Sequence, residues 1–198
     1  DQMLKKMRWH FILAAMAAVF IMLAAVVTGI NVWNYHTTAK RADQRIQEIF
    51  DFEVGKGNMS ETDSPEPAPP EIFDRPDDRD PEAPYTTRFF IVRLDESEKV
   101  TDVSTDFIAS VDKEEAEEFA RSVLSEKRQQ GYYKDYRFQV FTDNNDNIVI
   151  FLNNAMELHS ARNVLLISCL AGVGCFLIVF LLVLVLSRQA MKPYIRNI

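Results

Sequence analysis

The side chains that most often carry catalysis are few in this chain and badly spaced for it. Its three histidines, His10, His36 and His159, lie far apart in sequence, and none has a second His or a Cys at metal-ligand spacing. The two cysteines, Cys169 and Cys175, both fall inside one long apolar run. The polar middle of the chain therefore holds neither a disulfide nor a thiolate metal site. No glycine-rich phosphate loop follows a strand-like segment, and no nucleophile elbow is present. His159 is followed by Ser160 and Ala161 instead of the acidic residue and proline of a phospho-accepting histidine. The sequence thus offers no catalytic residue, no His or Cys metal site and no cofactor site of its own.

Three constellations suit binding better than catalysis. Tyr132, Tyr133 and Tyr136, with Arg137 beside them, could line a ligand pocket at the entry to a strand; the competing reading is ordinary core and rim. The cluster from Asp74 to Asp80 could take a divalent cation or a cationic peptide, but Arg75 and Arg79 interrupt its negative charge. Asp143 to Asn147 alternates Asp and Asn like a calcium loop. However, Ile148 replaces the glycine that such a loop needs at its sixth position, and Asn154 replaces the glutamate at its twelfth. A hairpin turn is the better reading there.

These residues must be positioned by elements of two different materials. Phe11–Ile30 and Val164–Leu186 carry no charge and are 20 and 23 residues long. At 1.5 Å per residue each reaches roughly the 30 Å of a bilayer's hydrocarbon core. The first run is longer than a signal peptide's apolar part, and the residues after it, Asn31 to Tyr35, lack a small-residue cleavage pattern, so an uncleaved anchor is expected. Lys5, Lys6 and Arg8 precede the first run; Arg188, Lys192 and Arg196 follow the second. Between the runs, residues 34–163 hold 16 basic against 28 acidic side chains, a net of −12. Short basic flanks predict that both ends, 1–10 and 187–198, face the cytoplasm and that the acidic middle lies outside. Trp9 at one end of the first run, with Trp33 and Tyr35 at the other, suits the aromatic belts of a membrane interface. Small residues four apart, Ala14/Ala18, Ser168/Gly172 and Ala171/Cys175, would allow close helix packing.

The middle divides into parts. Residues 31–54 continue as helix, with Ala39, Ala42, Ile46, Ile49 and Phe50 in one stripe that reads as a core face, a dimer seam or both. Residues 55–85, rich in proline and acid, read as a mobile loop. Residues 86–154 are the foldable part: strands over Thr87–Leu94 and Lys99–Thr105, then a helix N-capped by Asp112 with Glu115 three residues on. Ala116, Phe119, Ala120, Val123 and Leu124 form that helix's apolar face, and Gly131 is the expected stop. Strands follow over Tyr136–Thr142 and Ile148–Leu152. The order strand-strand-helix-strand-strand predicts an α+β fold, a small PAS-like antiparallel sheet with one packed helix. Residues 155–163 connect it to the second run.

The stretch from Arg88 to Asp95 (RFFIVRLD), Ile108–Val111, Glu114–Ala116, Gly131-Tyr132 with Asp135–Arg137, Phe151-Leu152, and Glu157-Leu158 with Arg162 carry a resemblance. So does Ser187–Pro193. Over residues 86–198 the chain resembles the amino-terminal input region of Firmicutes-type transmembrane sensor histidine kinases. That resemblance implies a multi-pass cell-membrane protein, a homodimer, and a cytoplasmic response regulator as partner. It implies no nucleic acid. ATP and Mg would belong to a kinase core that these residues do not include. Met191 and Pro193 would then carry signal transmission, because a proline interrupts helix hydrogen bonding where output begins. A chemoreceptor or cyclic-dinucleotide enzyme shares this layout, and a membrane scaffold beside a transporter is a third reading.

Overall fold

The structure, a computed structural model, describes residues 2–58 and 87–189. The acidic proline-rich segment and the pair Met191 and Pro193 lie outside the described residues. No proline falls within the described segments, and both long helices run unbroken. Helix α1 spans Gln2–Asn58 and continues four residues beyond the expected start of the loop, through Gly55 and Gly57. Strands β1 (Phe89–Leu94) and β2 (Val100–Ser104) are followed by α2 (Lys113–Ser125). Then come β3 (Gln130–Tyr133), β4 (Tyr136–Asp143) and β5 (Asp146–Asn153), and last the helix α3 (Ala155–Gln189).

All strand pairs are antiparallel, in the order β2-β1-β5-β4-β3. The fold is α+β with five strands, one more than the sequence reading anticipated. The extra strand, β3, is four residues long and contains a glycine. Nothing in its own composition marks it; the open edge of β4 supplies its pairing.

The central strands are buried on both faces, and this explains why FFIV and IVIFL read as unbroken apolar runs instead of alternating ones. Phe90, Val92, Leu94, Phe138, Val149 and Phe151 point to one face and meet Ala116, Phe119, Ala120 and Val123 of α2. Phe89, Ile91, Ile148, Ile150 and Leu152 point to the other and meet Ala42, Ile46 and Ile49 of α1. The sheet is thus covered by a helix on each side, where the sequence reading expected a helix on one. The stripe on α1 is a core face: Ile46 and Ile49 are essentially inaccessible, and Phe50 stacks on Phe141 at 4.0 Å.

Local chemistry sets the element ends. Asp112 accepts the Glu115 amide at 2.8 Å, the expected cap of α2. The helix stops at Ser125, not at Gly131. Lys127 takes the left-handed φ of 53°, and the Glu126 and Lys127 amides turn back to the Ser122 and Leu124 carbonyls. Gly131 instead sits within β3 at φ +152°, with the Arg128 guanidinium lying against the position a Cβ would take. The turn between β4 and β5 uses two residues, Asn144 and Asn145, at φ 48° and 73°. That pattern matches the twist of a tight hairpin. Asp95 closes the β1–β2 turn by accepting the Ser97 and Lys99 amides and the Ser97 hydroxyl on one carboxylate oxygen.

The chain divides into two compact units: Thr37–Leu158, just described, and Asp1–His36 with His159–Ile198. Within the second, Asn31 Nδ2 donates to Ser168 Oγ at 2.8 Å, and Phe20 meets Phe176 edge-on at 6.0 Å. A Cβ on Gly172 would stand 3.4 Å from Val27. Of the three small-residue pairs, Ser168/Gly172 therefore faces the other helix, whereas Ala14, Ala18, Ala171 and Cys175 are exposed. Ile12 and Met16 are the buried positions on that part of α1. Both α1 and α3 are long and apolar enough to cross a membrane.

Candidate functional site

Tyr132, Tyr133, Tyr136 and Arg137 all sit on the β3–β4 hairpin, but the pleat sends them to opposite faces. Tyr132 pairs with Arg137, and Tyr133 with Tyr136, directly across the two strands. Adjacent residues of a strand point to opposite sides, so each cross-strand pair shares a face and the two pairs do not.

Tyr133 and Tyr136 join the aromatic core under α2. Phe119 meets Tyr133 at 5.0 Å and Tyr136 at 5.6 Å, and Phe90 meets Tyr136 at 5.5 Å. Phe90 also stacks on Phe151 at 4.7 Å, so rings fill this space. Lys134, in the hairpin turn at φ 53°, lays its ammonium 4.4 Å from the Phe119 centroid. A cation over a ring face is worth about 0.5–1 kcal/mol at an exposed site. These residues seal the end of the core.

Tyr132 and Arg137 do something different. Arg137 grips Asp43 of α1 with two parallel bonds, Nε to Oδ1 at 2.7 Å and Nη2 to Oδ2 at 2.8 Å. This two-pronged, charge-assisted geometry is the strong form of the interaction. The Arg137 side chain is only 11% exposed, so water screens little of it. Its guanidinium carbon lies 4.8 Å from the Tyr132 ring centroid. The Tyr132 hydroxyl in turn accepts from Asn154 Nδ2 at 3.1 Å.

Asn154 is the joint between sheet and α3, and it is 3% exposed. Its amide donates to the Asp135 carbonyl at 3.0 Å, and its own carbonyl accepts the Leu158 amide at 3.0 Å to start the helix. Next to it, Asn153 Oδ1 accepts the Ala155 amide at 3.0 Å. A buried amide side chain is costly unless bonded; here the Asn154 side chain bonds Tyr132 of β3, while its backbone ties the hairpin turn to the first turn of α3.

Two members of this cluster escaped the sequence reading. Asp43 carries a signal: it stands four residues after Ala39 and three before Ile46, at the flank of the apolar stripe, where a charge needs a partner. Asn154 carries the ordinary signal of a polar residue before a helix start. Neither signal says which residue is the partner.

The remaining sequence candidates disperse. His36 and His159 are exposed, and His10 Nδ1 lies 2.8 Å from the Lys6 carbonyl one turn back. Among the described residues no group of three or more His, Cys, Asp or Glu is placed to hold a metal ion. In the β4–β5 turn, Asn145 is bonded to Glu96 of the neighbouring hairpin. No protein-family model, curated protein or solved structure matches the chain.

Proposed function

We propose that this chain is the input region of a transmembrane sensor histidine kinase, with residues 86–154 as a PAS-like sensor domain outside the cell membrane. The observation that carries the reading is an arrangement in sequence. One folded α+β unit, Thr37–Leu158, is bracketed by helices that are long and apolar enough to cross a bilayer. The antiparallel order β2-β1-β5-β4-β3, with α2 linking the first hairpin to the rest, supports the PAS-like part.

Several further observations favour a membrane around the helices. Leu13, Phe20, Ile21, Leu166, Leu170 and Leu181 are each 60% exposed or more, a surface that water penalises and lipid accepts. Trp9 and Trp33 lie about 36 Å apart along α1, the right span for two interfacial belts around a 30 Å core. The basic flanks favour an arrangement with both ends in the cytoplasm and the net −12 middle outside.

In this reading a stimulus shifts the sheet unit, α3 moves by piston, tilt or rotation, and the segment around Met191 and Pro193 hands the motion to a kinase core. That core, with its ATP and Mg, would phosphorylate a response regulator. A homodimer would pair through surfaces other than the α1 stripe, because Ala42, Ile46 and Ile49 are covered by the sheet. The test is a fusion of residues 1–198 to a kinase core in membranes. Phosphorelay output should change on deleting residues 86–154, and output indifferent to that deletion refutes the proposal. Co-purification with a permease, with no phosphotransfer dependent on the chain, would favour the scaffold instead.

A further inference from the structure

The geometry points to a clamp: Asp43, Arg137, Tyr132 and Asn154 form one contact chain that couples the α1 segment to the start of α3 across the edge of the sheet. All four belong to the Thr37–Leu158 unit. The inference rests on the signalling reading above and names the device by which the sensor unit would drive its outgoing helix.

Each link in the chain is short and directional. Asp43 to Arg137 is the two-pronged pair at 2.7 and 2.8 Å. Arg137 to Tyr132 is a guanidinium over a ring at 4.8 Å. Tyr132 to Asn154 is a hydrogen bond at 3.1 Å, and Asn154 supplies the first helical acceptor of α3. Tyr132 and Arg137 share a face because they are cross-strand partners, and α1 covers the same face through Ala42 and Ile46.

Position makes this chain useful. β3, like β2, is an edge strand held by a single ladder, whereas β1, β5 and β4 are paired on both sides; of the two edges, β3 is the one bonded to Asn154 at the start of α3. An edge held by a single ladder is the part of a sheet that shifts most readily. Without side-chain ties, a shift of the β3–β4 hairpin would be absorbed at the joint between β5 and α3. With Tyr132 and the Asp135 carbonyl both bonded to Asn154, the shift reaches the first turn of α3. With Arg137 locked to Asp43, it is referred to α1 at the same time. The clamp thus converts movement of the sheet edge into displacement of the first turn of α3 relative to the part of α1 that covers the sheet.

Hydrogen exchange on the full chain in lipid nanodiscs tests this. The reporting amides are those of Asn154, Ala155 and Leu158, whose acceptors define the joint. Asp43→Asn and Arg137→Lys should each speed their exchange roughly fivefold or more, the lower end of ordinary coupling between sites. Asn154→Ala should likewise speed exchange of α1 amides around Ile46. Protection in β5 over Ile148–Leu152 should stay unchanged, which separates uncoupling from unfolding. If one of these variants loses β5 protection, Tyr132→Phe decides, since it removes one hydroxyl and keeps the ring under Arg137. Tyr132→Phe should speed exchange at Leu158, and an unchanged Leu158 in that variant overturns the clamp. So do effects confined to each variant's own element.

The kinase fusion distinguishes the two failures. Output that ignores deletion of residues 86–154 sinks the signalling reading, whatever the exchange shows. Output that needs those residues but ignores Asp43→Asn, in a variant with faster Leu158 exchange, overturns the clamp's signalling role and leaves the sensor reading standing.

Discussion

Replacing Ile46 with alanine should destabilise the α+β unit by about 3 kcal/mol. Ile46 is 0% exposed and sits where α1 covers the sheet, in the cluster with Phe89, Ile91, Ile148, Ile150 and Leu152. The substitution removes three carbon atoms from a closed site. At roughly 0.8 kcal/mol for each buried methylene, the lost transfer energy is about 2.4 kcal/mol. The cavity left between a helix and a rigid sheet adds to this, within the range of about 2–5 kcal/mol known for Ile→Ala in cores. The assay is urea unfolding of the full chain in detergent micelles, followed by pulse proteolysis at two protein concentrations tenfold apart. Arg41→Ala, one turn away on the exposed side, is the control and should stay within about 0.5 kcal/mol of the parent. Because the contact lies within one chain, the Ile46→Ala effect should be the same at both concentrations. A loss below about 1 kcal/mol, or one that depends on concentration, would mean that α1 uses this stripe against another molecule.

Three further outcomes are expected. Asp95 is held below the ordinary carboxylate range, first by the Lys99 amide and next by the Ser97 hydroxyl, so the β1–β2 turn gains stability above the unfolded carboxylate pKa. That gain should disappear as pH falls through the lowered value, below about pH 4. Carboxyl NMR should show the low titration point, and in Asp95→Asn the Ser97 amide should exchange without that pH dependence. Gly131→Ala forces a side chain onto φ +152° and against the Arg128 guanidinium. A cost of about 1–3 kcal/mol is expected in thermal unfolding, and a neutral result would mean that the hairpin relaxes. Asn31→Leu removes the hydrogen bond to Ser168 Oγ and should weaken pairing of the apolar helices by about 0.6 kcal/mol, at most near 2. Disulfide trapping between cysteines placed at Val27 and Gly172 should read this as slower cross-linking.

Much of the fold is legible in local chemistry. Asp112 caps α2 because an oxygen three residues before an orphan amide suffices, and that needs no tertiary partner. The two long apolar helices follow from length and composition alone, and the apolar face of α2 from its 3.6-residue period. The Asn144-Asn145 turn is a local preference for positive φ, although the sequence reading drew the loop wider than the two residues it uses.

What the sequence left open depends on pairing between distant residues. β3 exists because β4 has a free edge, and four residues with a central glycine carry too little pattern to announce that. The stop of α2 at Ser125, well before Gly131, reflects a non-glycine residue, Lys127, accepting left-handed geometry, which composition does not show. The four candidate binding residues illustrate the difference best. Their nearness in sequence was real, but the pleat divides Tyr133 and Tyr136 from Tyr132 and Arg137, and it takes strand register to say so. The choice of Asp43 and Asn154 as partners spans 94 and 22 residues of chain, respectively. The sequence alone determined the apolar runs, the helices and the four longer strands, because those properties belong to neighbours along the chain. Tertiary structure alone decided which face each chemical group joins and with whom, because that is a property of the packed sheet.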